Sequence, residues 1–370
     1  MNSFTVDHTR ELKGIAIVLM LMHHLWFFPH KIVGGALQSH FTIFGVGSVQ
    51  YIGGFGKICV SLFFFLGGYG LYISYKNRRF DLIRTLKKLY ISYWKVLLIF
   101  TPVAFLFFGR QPAYSSDEMI WNRFADFSLH QFFGNLSGYN ITLNGEWWFF
   151  TSYVTAVITF PLIAKIIDRC SLELKLFLVV IGSILVFYVA PAVGRLEVLG
   201  TLNNSFLYDT FFCQSAPYIS CFWLGGVFAS ENAIVRLYDR LQQHSLLGIF
   251  QDLLLIAMLV YLRQSFVPAE LDILYVPLFA IACLDLFERC TSLRKLFREL
   301  GKHSTNMWLI HSFLCYYFYL PAKVVTITGN AIISLLTLIV GSYLASHCVN
   351  MIWKALGLLR NKANTLINAK

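Results

Sequence analysis

The chain has 370 residues, 57% of them hydrophobic and only 13% charged, with a mean hydropathy of +0.63 and a formal charge of +11. Soluble domains carry roughly a quarter charged residues, so this chain lacks the polar shell that a water-soluble core of its size needs. Its 35 Phe, 19 Tyr and 8 Trp suit lipid-facing helices with aromatic interfaces, and a soluble enzyme is excluded.

Crossing a bilayer takes roughly 20 apolar residues. Runs near that length lie at about 14–33, 57–75, 89–109, 147–167, 174–193, 210–230, 246–263, 270–288, 304–324 and 331–353. The sixth is interrupted by Gln214, Ser215 and Pro217, and the seventh is short. The expected fold class is all-α: a polytopic membrane helical bundle of about ten transmembrane helices. It forms a single domain over 1–370, with its core at about 10–353. The first apolar run is long and has no small-residue cleavage site, so no cleavable signal peptide is expected.

Ionisable groups inside a bilayer are costly, which makes each one a functional candidate. In the first span, Lys13 and His24 are eleven residues apart, within about 20° of one helix face and roughly 16 Å along the axis. A cation at the membrane surface thus sits beneath a mid-membrane imidazole, the side chain best suited to take a proton from a hydroxyl near neutral pH. His23 is adjacent, and helical phase relative to Lys13 favours His24. In the third span Arg84, Lys87 and Lys88 lead in; as a plain cytosolic loop they need no further role. Lys95 lies about 10 Å into that span, and Asp252, at similar depth in the seventh, is a candidate partner.

The polar segment at roughly 110–146 is long for a connecting loop, which hints at a role on the outer face. It ends in Asn144-Gly145-Glu146-Trp147-Trp148, readable as an aromatic interface belt or as a place for a polar substrate. At the ninth span, Ser304 and His311 are seven apart and share a face, with His311 roughly 10 Å deep. Taken alone, Ser304 reads as an N-cap and His311 as a packing hydrogen bond.

Placing the N-terminus inside puts most Lys and Arg on the cytosolic side. The outer segments keep only Lys31, Arg110, Arg123, Arg195, Arg263 and Lys323. By the positive-inside rule both termini are then cytosolic. The net charge faces anionic lipid or a cytosolic polyanion such as coenzyme A, and calls for no nucleic acid. The eight Cys form no CxxC pair and no zinc-spaced cluster, so they read as small apolar fillers and no metal is expected. There is no nucleophile elbow, HExxH helix or P-loop.

Five segments together resemble acyltransferase family 3, bacterial inner-membrane proteins that acylate polysaccharides and other sugars. Lys13-x10-His24 looks like the family's Arg-x10-His, with Lys in place of Arg. Phe63-Phe64-Phe65-Leu66-Gly67-Gly68-Tyr69 resembles its Phe-Phe-x-Leu-Ser-Gly-Tyr/Phe, with Gly67 for Ser. Arg84, Lys87 and Lys88 before Tyr93-Trp94, then Trp148-Phe149 with Phe160-Pro161, resemble its third- and fourth-span signatures. Gly301-Lys302-x-Ser304 followed by Leu309-Ile310-His311 is similar to its late motif. Departures are Tyr153 and Val154 where many members carry Glu, and Ile91 where Pro is usual.

The resemblance implies a multi-pass protein of the bacterial cytoplasmic membrane that is an O-acyltransferase. It would move an acyl group, acetyl first, from acyl-CoA to a sugar hydroxyl of an envelope polysaccharide or its precursor. Lys13, Arg84, Lys87 and Lys88 would hold the donor. His24, with Ser304 and His311, would serve the chemistry, and Asn144, Glu146 and Trp148 the acceptor. The competing expectation is a solute transporter using buried His and Lys without acyl chemistry. It predicts internal pseudo-symmetry and broken helices, and the sequence displays neither clearly.

Overall fold

A computed structural model describing residues 3–109, 123–189, 216–242, 248–265 and 270–368 turns the apolar runs into helices whose ends are set by local capping. Helix α1 (Val6–Phe27) starts at Thr5, whose hydroxyl accepts from the His8 amide while the His8 ring accepts from the Thr5 amide. Two amides that a helix start leaves without partners are thereby satisfied. A small hairpin follows, β1 (Thr42–Ile43) against β2 (Val46–Gly47), turning through Phe44 and Gly45 at φ 51° and 78°. It is a minor departure from an all-helical expectation.

Helices α2 (Ser48–Phe55) and α3 (Ile58–Lys76) are nearly continuous. Asp81 caps α4 (Leu82–Val103) by accepting from the Arg84 amide at 2.7 Å, and α4 runs through Pro102 into a π-helical turn, Ala104–Phe108. The short α5 (Leu129–Ser137) precedes a 3-10 turn, Gly145–Trp147, and α6 (Trp148–Arg169). Next come α7 (Leu172–Ile184), α8 (Ala216–Ser230), α9 (Ala233–Gln242), α10 (Ile249–Ser265) and α11 (Asp272–Arg289). The chain closes with α12 (Thr291–Ser312), a π-helical turn Phe313–Tyr317, α13 (Tyr319–Thr326) and α14 (Ala331–Asn368).

Among the described residues, Ser48–Lys76, Leu82–Phe108, Gly145–Arg169 and Ala331–Leu358 are long and apolar enough to cross a bilayer. Leu98, Leu106, Phe107, Ile158, Leu162 and Met351 stand exposed on them, as lipid-facing side chains do. This is a helical membrane protein.

Some expected boundaries move. Arg84, Lys87 and Lys88 lie on α4 rather than in a loop. Ser304 is internal to α12 rather than its N-cap, and its hydroxyl donates to the Gly301 carbonyl at 2.9 Å. The run expected to cross over 304–324 breaks at Phe318, between the π-helical turn and α13. Asp252 lies beside Arg289, 4.0 Å away, rather than pairing with Lys95. Residues 110–122 of the long outer segment and 210–215 of the sixth run fall outside the described residues.

Two helix crossings organise the bundle: α1 on α12, and α3 on α8. In the first, a Cβ on Gly14 would fall 1.9 Å from the Phe297 carbonyl oxygen, and one on Gly301 1.8 Å from that of Arg10. The second repeats the device, with Gly68 against Phe222 at 1.9 Å and Gly225 against Phe65 at 2.0 Å. Backbones touch where side chains are missing, the usual solution when lipid offers no hydrophobic drive between helices. Ion pairs then fix the register. Arg298 holds the buried Glu11 at 2.6 Å. Arg263 and Asp272, both buried, are joined at 2.7 and 3.1 Å, with Ser61 donating to the same carboxylate.

Candidate active site

The α1–α12 crossing decides which polar groups meet. With Gly14 pressed on α12 and Gly301 on α1, Lys13 and Ser304 border the same space. Lys13, Phe63, Leu89, Phe149, Tyr153, Ser304, Thr305 and Trp308 line a cavity of about 200 Å³. A second, of about 210 Å³, is lined by Met20, His23, His24, Phe28, Lys57, Cys59, Val60, Glu146, Trp148, Phe149 and Trp308. Phe149 and Trp308 belong to both. Their rings meet edge-on with centroids 4.9 Å apart and form the wall between the two spaces. Lys13 and His24 thus lie in series along α1, as their phase predicts.

The second cavity holds the chemistry-bearing groups. His24 Nδ1 is 3.7 Å from Glu146 Oε2, and Lys31 Nζ is 3.5 Å from Glu146 Oε1. The His311 ring lies against that of His24, centroids 4.8 Å apart. His311 Nδ1 faces the Trp308 carbonyl at 2.5 Å. A carbonyl only accepts, so the proton sits on Nδ1, and Nε2, which has no hydrogen-bond partner among the described residues, keeps a lone pair. Tyr316 donates its hydroxyl to the His24 carbonyl at the end of α1. His23 is committed elsewhere: Nδ1 bonds the Gly53 carbonyl at 2.9 Å and the ring stacks on Phe27.

Glu146 reaches His24 because its backbone is anchored to the end of α12. Trp147 Nε1 donates to the Leu309 carbonyl at 3.0 Å, and the Gly145 amide donates to the Tyr317 hydroxyl at 3.1 Å. Asn144 exchanges hydrogen bonds with Ser312 and accepts from the Glu146 amide at 3.0 Å.

Of the residues singled out in the sequence, Lys13 and Ser304 meet at the first cavity. His24, Glu146 and Trp148 meet at the second, with His311 behind His24. Asn144 is fully buried and its side chain is engaged within the protein. Arg84, Lys87 and Lys88 stand exposed on the opening turns of α4, the helix that gives Leu89 to the first cavity. Sequence reasoning missed Lys57, whose ammonium lies 5.7 Å from the centre of the Trp148 ring. A lone cation inside an apolar run was the available signal. It also missed the Lys31–Glu146 pair and the Phe149–Trp308 wall.

Compared with known protein families, residues 12–347 match the family described as acyltransferase domain. No curated protein and no solved structure matches the chain.

Proposed function

The chain belongs to the acyltransferase domain family and is an acyltransferase, and from that premise we propose that it moves an acetyl group from acetyl-CoA to a sugar hydroxyl. The acceptor is a cell-envelope polysaccharide or its precursor. The protein works in the bacterial cytoplasmic membrane on about ten spans, with both termini in the cytosol. The observation that carries the reading is the pair of cavities in series, one bordered by Lys13 and the next by His24 and Glu146.

In this reading the donor's phosphates rest on Lys13, Arg84, Lys87 and Lys88. Other cations, including Arg10, Lys76, Arg298 and Lys302, are drawn into ion pairs with Asp7, Asp168, Glu11 and Glu299. The pantetheine arm enters the first cavity, and its thioester passes the Phe149–Trp308 wall to reach the imidazoles. His24 takes the proton of the acceptor hydroxyl, whose oxygen attacks the thioester carbonyl and forms the ester C–O bond. Collapse of the tetrahedral intermediate breaks the C–S bond, and the departing thiolate takes the proton back from His24. Glu146, beside Nδ1, balances the imidazolium, and Lys57 supplies positive charge for the oxyanion. Trp148 offers an aromatic face to the sugar, while Ser304 and His311 orient donor and acceptor. Asn144 acts at one remove, by holding Glu146.

The test is label transfer from radiolabelled acetyl-CoA to envelope glycans, using membranes that contain wild type or His24→Ala at matched insertion. Loss of a general base should lower transfer by about 10²-fold or more. Undiminished transfer by the variant would remove His24 from the chemistry.

A further inference from the structure

Away from both cavities, α12 and α14 meet at a polar cluster that the transfer reaction does not use. Glu299 and His303 lie one turn apart on α12, and His347 comes from α14. One donor atom from each lies within 4.8 Å of the other two. His303 Nε2 is 3.6 Å from Glu299 Oε1. Two ligands on a tetrahedral ion with bonds of about 2.0 Å stand roughly 3.3 Å apart, so this pair is nearly at ligand spacing and the His347 donor would close on it. The His303 and His347 rings are 4.2 Å apart, centre to centre.

The surroundings are those of a held ligand set. His303 Nδ1 is 2.9 Å from Ser346 Oγ, which fixes the ring and leaves Nε2 directed at Glu299, as outer-shell partners do for metal-bound histidines. Tyr343 donates to Glu299 Oε1 at 3.3 Å, and Lys302 holds Oε2 at 2.6 Å. The His303 side chain is 10% exposed and that of Glu299 41%, which leaves the cluster open on one side.

We propose that Glu299, His303 and His347 form a binding site for a divalent transition-metal ion, zinc by its donor set of two imidazoles and one carboxylate. A bound ion would clamp α14 to α12, the helix that carries Ser304, Trp308 and His311. The spacing of the ligands gave no sign of this, because the histidines belong to different helices.

The experiment uses the full chain in detergent, purified without a polyhistidine tag, stripped with EDTA and desalted. It is titrated with Co²⁺ alone, read by visible d–d absorption, and then with Zn²⁺, read by calorimetry and by the thermal midpoint. The expected result is a single equivalent of Co²⁺ with tetrahedral-type bands, displaced by Zn²⁺, and a midpoint that rises with Zn²⁺. His347→Phe keeps a ring against His303 and Tyr343 but cannot ligate, so binding should weaken by more than about tenfold and the midpoint rise should vanish. Ser346→Ala, an outer-shell change, should weaken binding by about 10–100-fold. Absence of the bands, binding below one equivalent, or equal binding by the folded His347→Phe variant overturns the proposal.

Discussion

Glu146 faces two nitrogens at once, His24 Nδ1 at 3.7 Å and Lys31 Nζ at 3.5 Å, on a backbone anchored to α12. In the proposed reaction a carboxylate there steadies an imidazolium that forms only during proton transfer. It should therefore act on kcat rather than on donor affinity. Glu146→Gln keeps the shape and removes the charge. We expect kcat to fall by about 10²-fold with the KM for acetyl-CoA little changed. The variant should also add little to the loss already caused by His24→Ala, since groups acting as a unit are not additive. Unchanged kcat in Glu146→Gln would separate Glu146 from the proton-transfer step. His24 was legible from helical phase relative to Lys13. The partnership of Glu146 with Lys31 was not, because they are 115 positions apart and only the anchoring of the 3-10 turn to α12 brings them together.

At the scale of elements, the α1–α12 contact is the one on which both cavities depend. Gly301→Val would force a branched side chain onto the Arg10 carbonyl, where even a Cβ would lie at 1.8 Å. That oxygen is backbone and cannot turn away, so the helices must part. We expect a loss of about 1–3 kcal/mol with the Lys13–Ser304 cavity disturbed, read as a lower thermal midpoint together with weaker donor binding. Gly70→Ala on α3 is the control, since nothing among the described residues lies within 4 Å of its Cβ position and Ala favours helix. Equal midpoints for the two variants would refute the close-contact argument. The apolar parts of the helices were legible from hydropathy. The polar first half of α12 was not, because it is sustained by ion pairs such as Arg298–Glu11 and Lys302–Glu299, which a search for lipid-crossing runs passes over. Matching depth alone also misled in pairing Lys95 with Asp252, since depth says nothing about the direction in which a side chain turns.

Over the whole molecule, charge sets orientation and acid tolerance. Arg263, counted at first among the outer cations, is buried in its pair with Asp272. The proposed topology, with both termini cytosolic, rests on the excess of Lys and Arg that it places on that side. Reporter fusions at the two ends, alkaline phosphatase and a fluorescent protein, should be phosphatase-silent and fluorescent at both. Phosphatase activity at either end would reverse the topology. Acid tolerance follows from carboxylates at the polar ends of helices. Lys175, 2.7 Å away, holds Glu231 below its ordinary pKa of 4.5, chiefly through their hydrogen bond. Arg10 and then Arg298 do the same for the exposed Asp7. A carboxyl depressed on folding binds fewer protons than in the unfolded chain. Its stabilisation is therefore present above the ordinary value and fades as pH falls through the folded one. Lys175→Met should lower stability at neutral pH by on the order of 1 kcal/mol. Its gap from wild type should narrow as pH falls below about 4.5 and close once pH passes below the depressed folded value, where Glu231 is protonated in both proteins. Thermal midpoints measured in detergent from neutral pH downward decide this: a gap that stays constant would mean that Lys175 stabilises through packing of its alkyl chain rather than through its charge.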